Sequence, residues 1–84
     1  YPNPFNPTTT IRFSLPQAGE AELSIYNLMG QRVAVLVRGV QEAGPHALPW
    51  NGCDDAGREL ASGVYFYRLQ AGAKVETRKL LLLR

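Results

Sequence analysis

"GVYFYRLQAGAKVETRKLLLLR", residues 63–84, decides the fold. Residues 64–69 are rich in branched and aromatic side chains, the types that suit a pleated, half-buried surface. Gln70, Ala71 and Gly72 supply a short turn. Lys74, Val75, Glu76, Thr77 and Arg78 then alternate apolar or branched with charged side chains, the period of two of a strand that begins at about Ala73. Leu80, Leu81, Leu82 and Leu83 abandon the alternation, as though both faces become covered toward Arg84. The two runs are joined tightly enough to be hairpin neighbours, so the leucines have one strand partner and an open question on their other edge. A membrane-spanning helix needs ~20 apolar residues and a barrel strand ~10, so this run does not insert in a membrane.

The same alternation recurs upstream. Ile11, Phe13 and Leu15 point inward from a strand that includes Arg12 and Ser14, and residues 16–19 punctuate it. Ala21, Leu23 and Ile25 face inward from a second strand over 20–26, followed by a turn at 27–30. Residues 31–37 form a third, with Val33 and either Val35 or Leu36 inward, and its blurred pattern signals a bulge. Residues 39–44 connect to a fourth strand, in which His46, Leu48 and Trp50 share a face and Pro49 calls for a sheet edge or a strand end near Trp50. Residues 51–63 are polar and turn-rich. The count is six strands, seven if the first segment pairs too. Regular turns and no helical period argue for an all-β antiparallel sandwich. Residues 1–8, with three prolines, read as an extended lead-in to one domain over 9–84.

Bulk composition excludes several classes. The 84 residues are 45% hydrophobic, which argues against disorder. The formal net charge of +2 comes without a basic run interleaved with aromatics, so nucleic acid is not an expected partner. One cysteine, Cys53, allows no internal disulfide. The start at Tyr1 without methionine suggests a piece of a longer chain.

Catalytic chemistry is hard to find, and no catalytic residue, metal or cofactor is expected. The single histidine, His46, reads as a partly buried structural ring rather than a general base, having no nucleophile or orienting acid near it in sequence. Asp54 and Asp55 beside Cys53 disfavour its thiolate, the opposite of an activated nucleophile. Asn51, Asp54, Asp55 and Glu59 offer oxygen ligands, but their spacing is not that of a calcium hand, and turns favour the same residues. Trp50 reads as a core plug before a sugar platform. Tyr65 and Tyr67 share a face, which Tyr26 joins in the aromatic-patch reading.

Four stretches in order, "YPNPFNPTTTIRFSLP" (1–16), "LSIYNLMGQRVAVLV" (23–37), "GPHALPWNGCDDAGRELASGVYFYRL" (44–69) and "RKLLLLR" (78–84), resemble the C-terminal sorting domains of proteins exported by the type IX secretion system of Bacteroidota and related bacteria. The pattern is also similar to the Ig-like domain named after the flagellar hook-capping protein. Cys53 and Pro49 depart from it. The resemblance implies an Ig-like β-sandwich of about seven strands at the end of a larger secreted cargo protein. It implies folding in the periplasm, recognition by an outer-membrane translocon with its shuttle or sortase proteins, and an extracellular or surface destination, with cleavage or retention both open. By position, Arg78, Lys79, Leu80, Leu81, Leu82, Leu83 and Arg84 become the expected partner-binding strand. A terminal strand's unpaired backbone groups extend a receptor's sheet, and its basic flanks guard against aggregation. The alternative from another class is a structural or carbohydrate-binding Ig-like module of hook-cap type, motivated by Trp50, Tyr65 and Tyr67.

Overall fold

A computed structural model describes residues 9–83. Six strands follow one another among them: β1 (Thr9–Leu15), β2 (Gly19–Tyr26), β3 (Arg32–Gln41), β4 (Gly44–Trp50), β5 (Gly63–Ala71) and β6 (Lys74–Leu82). β1 and β4 form a two-stranded sheet, and the other four form a sheet in the order β3-β2-β5-β6. Every pairing is antiparallel. The architecture is the all-β antiparallel sandwich that the alternation implies, with six strands among the described residues where the resemblance implies an Ig-like form of about seven. No helix among the described residues is long and apolar enough to cross a membrane.

The core lies between the sheets, where the inward positions of each strand meet. Ile11 and Leu15 of β1, Ala21, Leu23 and Ile25 of β2, and Tyr65 and Leu69 of β5 are buried, as are Trp50, Leu80 and Leu82. A fully buried leucine or isoleucine stabilises the fold by about 1.5–3 kcal/mol relative to exposure, so these positions outweigh the surface ion pairs. Phe13 is half-buried and stacks on His46, its partner across β1 and β4, with ring centroids 4.8 Å apart and planes 3° from parallel. His46 also bonds the Glu42 carbonyl through Nε2 at 2.7 Å, so it is a structural ring.

Trp50 ties the core to the loop that follows. Its indole Nε1 donates to the Cys53 carbonyl at 3.0 Å, and its ring meets Tyr65 edge-on, with centroids 5.9 Å apart and planes at 75°. The Tyr65 hydroxyl in turn donates to the Ala61 carbonyl at 2.7 Å. Two buried aromatic side chains thus hold both ends of the loop over residues 51–62.

β3 departs from the expected pattern in both length and register. β3 runs on to Gln41, leaving only Glu42 and Ala43 as the connection to β4. Opposite β2 it bulges twice: Leu23 and Ser24 pair with Val37 and Val35, and Ile25 and Tyr26 with Ala34 and Arg32. Leu36 and Val33 are the extra residues, so two residues oppose one and the period of two is lost. Ala34 therefore takes the buried core position, and Val35, half-buried opposite Ser24, lies on the other face of the sheet. Tyr26 sits opposite Phe66, one residue out of step with Tyr65 and Tyr67, which puts it on the other face of the sheet. Its ring lies beneath the Arg68 guanidinium, 5.9 Å from centroid to Cζ.

The β5–β6 turn is Gly72 and Ala73, one position later than the sequence suggests, with Gly72 at φ +61°, where any side chain strains the backbone. β6 ends at Leu82. Its leucines keep the alternation instead of losing it: Leu80 and Leu82 are buried, while Leu81 and Leu83 stand 55% and 66% exposed. One face is covered, because nothing among the described residues packs on the outside of the four-stranded sheet there. The proline-rich lead-in over 1–8 and Arg84 lie outside the described residues.

Candidate functional site

β6 is one edge of the four-stranded sheet and β3 is the other. The two edges are finished differently. Asp55, in the loop after β4, closes β3: its backbone N–H donates to the Val33 carbonyl at 3.1 Å, and its Oδ1 accepts the Val35 N–H at 3.0 Å. Together with the two bulges, this makes β3 a poor template for another strand. Among the described residues β6 has neither device. It pairs with β5 in nine consecutive positions, from Gly63 opposite Leu82 to Ala71 opposite Lys74, without a register shift. Its outer backbone edge is a regular row of donors and acceptors, the arrangement that accepts an added strand.

Side chains sort onto two faces of β6. Leu80 and Leu82 anchor it inward, opposite Tyr65 and Gly63. Lys79 and Leu81 point outward, opposite Phe66 and Val64. Arg78 shares the inward parity yet is exposed, since it lies opposite Tyr67, where the smaller sheet does not cover the larger. Of the seven residues expected to bind a partner, the structure therefore spends Leu80 and Leu82 on the core and leaves Arg78, Lys79, Leu81 and Leu83 accessible. Arg84 is outside the described residues. Leu28 and Met29, 71% and 78% exposed in the β2–β3 turn, line a shallow depression with Val64 and extend the apolar surface at this end of the sheet. Sequence reading missed both them and the Asp55 clamp. The turn residues are readable only once Val64 and Leu81 are known to be paired.

The other candidates resolve into structural roles. Asn51 Oδ1 accepts the Cys53 N–H at 3.1 Å, and Asp54 Oδ1 accepts those of Ala56 and Arg58 at 3.0 and 2.9 Å. With Asp55 engaged on β3, these oxygens accept turn hydrogen bonds. No group of three or more His, Cys, Asp or Glu among the described residues is placed to hold a metal. Trp50 and Tyr65, 2% and 8% exposed, have no face to offer a sugar.

Two carboxylates are held below their ordinary range. Backbone N–H donation from Arg58 is the main cause for Asp54, aided by the Arg58 guanidinium at 3.0 Å and opposed by desolvation. For Glu22 it is the hydrogen bond from Ser24 Oγ, opposed by desolvation and aided by Arg38 and Arg32 at 3.3 and 3.4 Å. Both groups bind a proton less readily folded than unfolded. Their contribution is thus fully present above the ordinary values of 4.5 and 3.8 and is lost as pH falls through the lower folded values. Thermal melts should show the midpoint dropping as pH is taken below about 4.5, and Glu22→Gln with Asp54→Asn should flatten that drop. A midpoint that falls as steeply in the double variant would assign the acid sensitivity elsewhere.

The family model of the FlgD Ig-like domain matches residues 5–74, ending at the first residue of β6. Among solved structures, the crystal structure of FlgD from P. aeruginosa superposes with a TM-score of 0.73 at 24% identity. That superposition covers 92% of this chain and 62% of the FlgD chain, so this chain spans less than two thirds of that protein. No curated protein matches. A match running through five of the six strands and into the sixth places the chain: it belongs to the FlgD Ig-like domain family.

Proposed function

We propose that the chain is a non-enzymatic Ig-like module that joins its parent polypeptide to a protein assembly through the open edge of β6. One observation carries this reading: among the described residues β6 is regular and uncapped along its outer edge, while Asp55 and two bulges close the opposite edge. Strand addition needs such an edge, and alternate side chains such as Lys79 and Leu81 give it specificity.

Two kinds of assembly fit. In the first, the module is a hook-cap-type structural domain, the reading that the family match and the FlgD likeness favour. In the second, it is a sorting domain that directs a larger cargo through the type IX secretion system to the cell surface or medium. There an outer-membrane translocon and its shuttle or sortase proteins read β6. This second reading draws on the residues beyond the family match, where Arg78, Lys79, Leu81 and Leu83 are exposed on a strand anchored by Leu80 and Leu82.

A reporter fused to residues 1–84 tests both in a bacterium with that secretion system, beside a variant carrying Lys79→Glu and Leu81→Asp on the exposed face. Export of the parent and retention of the variant support sorting. Export of neither leaves the assembly reading, which then requires a flagellar gene neighbourhood. Equal export of both removes β6 as the docking element.

A further inference from the structure

Among the described residues the two sheets are unequal, four strands against two, and the smaller does not roof the whole inner face of the larger. Lys74, Glu76 and Arg78 have the same parity on β6 as the buried Leu80 and Leu82, yet none of the three is buried. Above them lies an open groove of about 760 Å³. Tyr67 and Leu69 of β5 and the stacked rings of Phe13 and His46 give it an apolar lining. Its rim is cationic. Lys74 is paired with Glu76 at 3.7 Å, whereas Arg12 and Arg78 have no ion pair among the described residues.

We propose that this groove binds an extended acidic peptide segment. One apolar side chain of that segment rests on Tyr67, Leu69 and the Phe13–His46 stack, and flanking carboxylates meet Arg12 and Arg78. Its volume falls within the roughly 300–1,000 Å³ of ligand clefts, and an apolar lining with a few placed charges is their usual character. Charge chooses the occupant. A second copy of this chain would bring the Lys74, Arg78 and Lys79 of its own β6 against the same sign, whereas alternating carboxylates would neutralise it. An anionic polysaccharide would satisfy the arginines and leave the ring lining in water. The groove uses the inner face of β6 rather than its backbone edge, so the proposal stands or falls separately from edge docking.

The probe is a fluorescent eight-residue peptide in which aspartate and valine alternate around one central phenylalanine, titrated into the 84-residue chain by anisotropy. Saturable binding is expected, weakened roughly tenfold or more by Arg12→Glu with Arg78→Glu and by about half that ratio, on a logarithmic scale, by the corresponding Gln pair. Changing the peptide's phenylalanine to serine should weaken it comparably, and amide shifts should centre on Tyr67 and His46. Both substituted positions, Arg12 and Arg78, are at the surface, and unchanged amide spectra elsewhere verify the fold. Indifference to charge reversal overturns the proposal. So does indifference to the phenylalanine with complete displacement by heparin, which would mark a polyanion site. Shifts centred on Val64 and Leu81 would overturn it too, while leaving the edge reading intact.

Discussion

Replacing Trp50 with alanine is expected to remove about 3–5 kcal/mol of stability, a large share of the roughly 4–12 kcal/mol that a chain of this size holds in total. Three losses coincide. The indole is 2% exposed, so its removal leaves a cavity between the sheets. The edge-on contact with Tyr65 disappears, worth about 0.5–1.5 kcal/mol beyond burial. The Cys53 carbonyl loses its indole donor, at about 1 kcal/mol. Trp50→Phe keeps a ring against Tyr65 and should cost roughly half as much. Because the only tryptophan is the one replaced, urea unfolding should be followed by far-ultraviolet circular dichroism. A loss below about 1 kcal/mol for alanine would show that the indole does not plug the sandwich.

The second large effect separates four identical residues. Leu82→Ala should cost about 2–5 kcal/mol, and Leu80→Ala a similar or slightly smaller amount, because both lie in the core. Leu81→Ala and Leu83→Ala should stay within about 0.5 kcal/mol, since their side chains stand in water. Residue type and local sequence are nearly the same in all four, so the strand's parity alone decides the outcome. Four equal losses would mean that both faces of β6 are covered. A partner that docks on β6 reverses the order: the exposed pair should weaken its binding without moving the unfolding midpoint.

Much of this was legible in the chain because alternation reports directly which residues a sheet buries. Ile11, Leu15, Ala21, Leu23 and Ile25 were all placed by counting in twos, and all five are buried. Counting failed where the backbone departs from two. Val33 and Leu36 are bulged residues of β3, and a bulge leaves no mark in sequence except a blurred pattern, so Ala34 was overlooked. It failed also where the covering layer stops. Nothing in Leu80, Leu81, Leu82 and Leu83 tells that only one face is covered among the described residues, because that depends on how far the facing sheet extends. Asp55 was hidden for another reason. Its role is a contact 20 residues away, from its carboxylate to the Val35 amide, and composition signalled only a turn. The open edge of β6 gains its meaning from that clamp on the far side.

Amide hydrogen exchange, resolved residue by residue, tests the central claim most directly. Along β6, amides that bond to β5 should be protected while the intervening ones, directed away from it, exchange quickly; on the opposite edge the Val35 amide should be protected by Asp55 and released in Asp55→Ala. Uniform protection from Lys74 to Leu82 would mean that the edge is already occupied, and uniform rapid exchange that β6 is not held on the sheet at all. Either result would contradict an anchored strand with a free outer edge.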